Sequence, residues 1–173
     1  MPFTPYHFGP SAIIGLPLRK HIDIPVFVLA NVVVDIEPLA VILLSLNYPA
    51  HGIFHTFLIG GLAGAAGAAL FYPVRNIFRW LMGLFGLPYQ TSIRKMMLSG
   101  ALGVWLHVIL DGLLYAEMTP FWPIRRNYLH GMMSYSTVFI LCEASCIAAA
   151  VIYSANGYFA YRNGKKLQAN QNS

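Results

Sequence analysis

Charge is scarce in this sequence. Eleven Lys and Arg and six Asp and Glu make up 10% of its 173 residues, while 57% are apolar and the mean hydropathy is +0.60. That apolar share lies above the roughly 45–50% of soluble domains, so a soluble fold is not expected. The basic residues fall in short clusters between apolar runs rather than on one face. The net charge of +5 therefore describes membrane orientation, and nucleic acid is set aside as a partner. Cysteine is limited to Cys142 and Cys146, four apart in a hydrophobic run. This excludes a disulfide framework and a zinc-ribbon spacing and leaves two small packing residues. The opening MPFTPYHFGP has no basic segment ahead of its apolar part and no small-residue cleavage site after it, so no cleavable signal peptide is expected.

What the chain does have is long apolar runs. A helix needs roughly 20 apolar residues to cross the hydrocarbon core, and four stretches qualify: about Ile24 to Leu46, Gly52 to Tyr72, Met96 to Tyr115 and Met132 to Asn156. A shorter stretch, Thr4 to Leu18, opens with Thr4 as a cap and Pro5 at the first helical position, is interrupted by Gly9-Pro10 and is closed by Pro17. It is expected to span thinly, re-enter or lie at the interface. The fold expected is an all-α polytopic membrane bundle, four transmembrane helices plus a short N-terminal membrane-embedded helix. It forms one domain over residues 1–161, followed by a polar, disordered tail over 162–173. Nine basic residues fall on one side (Arg19, Lys20, Arg75, Arg79, Arg94, Lys95 and three in the tail) against Arg125 and Arg126 on the other. The side with nine, and with it the C-terminus, is read as cytoplasmic. In the second span, GGLAGAAGAA sets Gly60 and Gly64 four apart, which lets another helix approach closely.

Against this background several polar residues stand out. Asp35 and Glu37 lie mid-way along the first span, where each ionised carboxylate costs on the order of 2.5–3.5 kcal/mol. The Leu, Ile, Val and Phe residues of that span return only about 0.3–0.6 kcal/mol each. Protonation, pairing with a base, a water-filled cavity or a bound cation must compensate them. Pro38 follows Glu37 and disfavours helix at the residue before it, so a break is expected over Asp35, Ile36 and Glu37, which lets both carboxylates converge on one site. The third span sets His107 and Asp111 four apart on one helical face, and the second opens with His51 and His55 at the same separation, a spacing with which one helical turn chelates a metal. Counting about 1.5 Å per residue from the cytoplasmic ends places Asp35 and His107 each about 17 Å up, and Asp111 about 23 Å. If the N-terminal stretch runs back beside the first span, His7 reaches about the same level. His7, Asp35, Glu37, His51, His55, His107 and Asp111 form a mixed N/O set that suits zinc, manganese or iron. Seven candidates are too many for one tetrahedral ion and suit two, a pair that activates a water as nucleophile and clamps the attacking and leaving oxygens. Asp35 or Glu37, whichever is not committed to metal, is the expected general base.

These segments, MPFTPYHFGP, VVVDIEPL, HGIFHTFLIG and HVILDGLLYAEMTPFWPI, together resemble the bacterial YdjM-like family of predicted inner-membrane metal-dependent hydrolases. The resemblance covers most of residues 1–125 and implies a metal-dependent hydrolase of the bacterial inner membrane. The chain departs from that pattern in having Gly52 directly after His51, with His55 only four residues on. It also has Leu114 and Glu117 where the family has Thr and Gly, which makes Glu117 a candidate substitute ligand.

Outside the motifs, Trp80, Trp105 and Trp122 read as interfacial anchors or packing groups, Glu143 as a helix-pairing group, and His21 as solvated. His130 with Arg125 and Arg126 is a solvated trio to which an anionic headgroup would be the natural partner. The function expected is hydrolysis of an ester or phosphoester of a membrane-associated substrate. Two other classes stay open: a metal-ion or proton carrier, which lacks an inverted repeat unless a homo-oligomer supplies the second half, and a noncatalytic scaffold whose polar groups only pair with one another.

Overall fold

The computed structural model describes the backbone of residues 5–171 and the side chains of residues 6–158. The expected cap at Thr4 lies outside them. Among the described residues seven α-helices follow one another: α1 (Pro5–Gly15), α2 (Ile24–Val33), α3 (Ile36–Leu43), α4 (Phe57–Leu70), α5 (Arg75–Leu84), α6 (Ile93–Leu114) and α7 (Tyr135–Gln171). No strand occurs among the described residues. Among the described residues, three helical stretches are long and apolar enough to cross a membrane, namely Ile24–Leu43, which joins α2 and α3, then Ile93–Leu114 and Tyr135–Tyr158. The pair α4 and α5, bent by 48° at a short break, passes the same test only when its two parts are taken together.

Helix α6 is the axis. It packs along α4 on one side and α2 on the other, while α1 lies between α2 and α7. The contact with α4 is a backbone-to-backbone seam: a Cβ on Gly64 would meet the Gly100 carbonyl, and one on Gly100 would meet the Gly64 carbonyl. Small residues therefore allow the approach that the sequence of the second span suggested. Gly9 plays the same part for α1, since a Cβ there would meet the Cys142 carbonyl and Cys146 Sγ of α7. Both cysteines are free, Cys142 buried and Cys146 exposed.

Several sequence expectations of helix bounds need correction. α1 runs unbroken through Gly9-Pro10. Pro10 lies only one turn into the helix, where the single bond it forgoes would have gone to Tyr6. The break in the first long span falls at Val34-Asp35, earlier than expected, because a proline ring clashes with the carbonyl four residues back, here Val34. Val34 O accepts instead from Glu37 N at 3.1 Å, and Pro38 sits in the first turn of α3. The helix also stops at Leu43, short of Leu46, with Ser45 in the left-handed region at φ 48°. The second span begins at Phe57, not Gly52, since Thr56 is extended (φ −125°, ψ 150°) and caps α4 by accepting from Ile59 N.

Residues read as a loop after the second span contain α5. Phe78 and Met82 are its buried face, four apart, while Ile77 and Trp80 are exposed. At the same end of the bundle Asp23 caps α2 and ties the connections together. Its Oδ1 accepts from Val26 N at 3.2 Å, its Oδ2 accepts from Tyr89 Oη at 2.8 Å and from Thr91 Oγ1, and its own N–H donates to Ser99 Oγ at 2.7 Å. Burial and the bond to Asp23 push the Tyr89 phenol above its ordinary value, so it remains a donor. The backbone of α7 continues as helix through the polar residues up to Gln171, and Glu143 is exposed on its side.

Candidate metal centre

At the end of the bundle away from Asp23, four segments bring imidazoles and carboxylates together. His7 comes from the first turn of α1, Asp35 and Glu37 from the break and the start of α3, and His107 and Asp111 from the last turns of α6. His51 and His55 come from the connection before α4, where Ile53–His55 forms a single 3-10 turn. They do not share a helical turn as expected, because the extended Thr56 starts the helix after them. The loop nevertheless sets their rings 5.0 Å apart.

Asp111 lies at the centre of the group. Its Oδ1 is 3.3 Å from His7 Nε2, and its Oδ2 is 3.4 Å from His107 Nε2 and 3.7 Å from His51 Nε2. His107 Nε2 is also 3.5 Å from Asp35 Oδ1, and the His55 and His107 rings are 5.1 Å apart. Asp35, His55, His107 and Asp111 each offer one ligand atom, all within 4.8 Å of one another, and could hold a metal ion.

The hydrogen bonds at the other ring nitrogens fix the tautomer that each histidine presents. A carbonyl only accepts, so His107 Nδ1–H must donate to Asn31 O, 2.6 Å away. Toward ionised carboxylates the same holds for His55 Nδ1–H, 2.7 Å from Glu37 Oε2, and His51 Nδ1–H, 3.0 Å from Glu117 Oε1. In the neutral rings each Nε2 then carries a lone pair. His55 Nε2 and His107 Nε2 are buried without a hydrogen-bond partner, and so is Asp111 Oδ1. Lone pairs facing carboxylate oxygens in a buried pocket are acceptors facing acceptors, an arrangement that a shared cation relieves. The donor chemistry, two imidazoles and two carboxylates, fits a divalent transition metal.

The structure therefore gathers all seven sequence-expected residues, though in different roles. Glu37 stands behind His55 rather than within the group of four, its Oε1 accepting from Phe54 N at 3.4 Å. Glu117, half exposed, stands behind His51 in the same way. Sequence reasoning missed Asn31, whose carbonyl orients His107 while its side chain donates to Ser11 Oγ, and Tyr115, whose ring stacks on His51 at 4.3 Å. Spacing held the signal, for Asn31 lies four before Asp35 and Ser11 four after His7. Compared with family models, curated proteins and solved structures, the chain matches none.

Glu37→Gln is expected to weaken metal binding about 10–100-fold. The amide NH₂ donates where the carboxylate accepted, which favours the His55 tautomer with its proton on Nε2. Competition with a chromogenic chelator measures this, and an unchanged affinity would remove Glu37 from the support of the centre.

Proposed function

We propose that this chain is a multi-pass membrane protein that uses a buried metal centre to hydrolyse an ester or phosphoester of a membrane-associated substrate. The observation that carries the reading is the pair of buried Nε2 atoms of His55 and His107 without hydrogen-bond partners, their Nδ1 sides already committed, in a group where Asp35 and Asp111 bring ligand atoms within 4.8 Å. The resemblance to YdjM-like inner-membrane hydrolases supports the same class and suggests a bacterial inner membrane. In this reading α2–α3, the bent pair α4–α5, α6 and α7 are the four spans, α1 is membrane-embedded beside them, and the positive-inside bias leaves the C-terminus in the cytoplasm.

Asp35, His55, His107 and Asp111 would hold the ion, zinc with manganese or iron as alternatives, and His7 and His51 reach Asp111 from positions that suit a second. Such an ion supplies Lewis acidity and makes water acidic enough to attack at neutral pH. Glu37 stays behind His55, accepting from His55 Nδ1–H and Phe54 N, so Asp35, the more exposed carboxylate of the group of four, would take the proton of the attacking water. The water oxygen bonds to the carbonyl carbon or phosphorus, the bond to the leaving oxygen breaks, and the proton held by Asp35 passes to that oxygen.

Elemental analysis of protein purified in detergent without chelator tests this reading. One or two equivalents of transition metal per chain are expected, and His107→Ala is expected to lose them while retaining its helical content. Metal-free wild-type protein would leave only a scaffold of paired polar groups. A second reading, a carrier of metal ions or protons, is favoured by the helix break beside Asp35 within a span. Isotope flux into proteoliposomes would establish that reading in place of the hydrolase.

A further inference from the structure

An apolar groove leads away from the metal centre. It encloses about 820 Å³ between α2–α3 and α4–α5. These walls both pack on α6 but scarcely touch each other, and Val104 of α6 lies at the floor. Among the lining residues Glu37 alone is charged, and its Oε2 is also the partner of His55. The groove and the centre thus meet at one side chain. Along the α2–α3 wall, Val26 to Glu37 covers about 16 Å.

Small side chains on α4 make the room. Ala63, Gly64, Gly67 and Ala68 line the groove, and a Cβ added to Gly67 would meet nothing within 4 Å, whereas one on Gly64 would strike α6. Inside a bilayer a space of this size is filled, because the atoms around a void lose their dispersion contacts. Exposed Leu29, Val33, Ile36 and Phe71 leave the flank open to hydrocarbon. A straight helix of a second copy does not follow the channel, since one wall is broken at Val34-Asp35 and the other bends by 48°. A chain of methylenes bends with it.

We propose that the groove holds one long hydrocarbon chain of an amphiphilic substrate, whose ester or phosphoester head lies at the Glu37 end against the metal centre. The head's chemistry rests on the hydrolase reading, but seating of the chain does not. The Glu37 end faces the same bundle end as His7, His51 and His107, so the head would sit in the half of the bilayer that holds the centre and the tail would run away from it toward Val26 and Phe78. Entry is lateral, from the leaflet whose headgroups lie at that end.

The full-length protein in nanodiscs of phosphatidylethanolamine and phosphatidylglycerol, doped with a phospholipid carrying a mid-chain diazirine, provides the test. Photolysis is expected to label peptides of α2–α3 and α4 well above those of the lipid-facing side of α7. Gly67→Leu points into the open groove and is expected to reduce that labelling about tenfold, with metal content and thermal unfolding unchanged. Even labelling over all outward faces, or labelling unaffected by Gly67→Leu, would overturn the proposal. So would wild-type dimers crosslinked through the groove and lost in Gly67→Leu, since these would make a second copy the occupant. Metal-free protein that still labels in the groove upholds the chain site and removes only the hydrolase, whereas metal-loaded protein without groove labelling does the reverse.

Discussion

Asp111→Ala is expected to lower metal affinity by more than about 100-fold while the bundle stays folded. The carboxylate approaches three imidazoles within 3.3–3.7 Å and is one of four groups whose ligand atoms cluster within 4.8 Å. Alanine removes the anion that balances a divalent charge and the one group reaching both His7 and the His51–His107 side. Its neighbour Val108 remains fully buried against Val104 and Met118, so helix packing at this level does not depend on residue 111. Elemental analysis and chelator competition measure the loss, and circular dichroism reports the fold. Full metal content in Asp111→Ala would remove this carboxylate from the site. His107→Ala and Asp111→Ala should not add, because each alone already breaks the group.

The largest loss of stability is expected from Gly64→Val or Gly100→Val. At this crossing of α4 and α6 each glycine faces the other's carbonyl, and backbone cannot rotate away as a side chain can. Either valine should cost about 3 kcal/mol, visible as a lower unfolding midpoint in mixed detergent. Gly83→Ala is the control, because a Cβ there meets nothing within 4 Å. Equal midpoints for Gly64→Val and Gly83→Ala would show that the helices do not meet along this seam.

Legibility of the sequence varied with the range of the interaction involved. Hydropathy alone located α6 and the apolar part of α7, since each is a continuous run. The site ligands were legible because Asp35, His107 and Asp111 are conspicuous in apolar surroundings, and their common depth follows from rise per residue. Helix α5 was missed because its buried Phe78 and Met82 lie in a ten-residue stretch that also carries Arg75, Asn76 and Arg79, a short amphipathic pattern next to long apolar ones. Asp23 went unnoticed because its importance comes from Tyr89, Thr91 and Ser99, all more than sixty residues away. The placement of Glu37 behind His55 and of Glu117 behind His51 was not legible for a related reason: which side of a histidine ring a carboxylate meets depends on ring orientation, which spacing does not encode.

The break before α3 and the late position of α6 also bear on biosynthesis. His7 leaves the ribosome first, yet its partner Asp111 is made 104 residues later, after every other ligand-bearing segment has been threaded. Until then the translocon must accommodate Asp35 and Glu37 without imidazole neighbours from α6. The group of Asp35, His55, His107 and Asp111 is therefore complete only once α6 has been made.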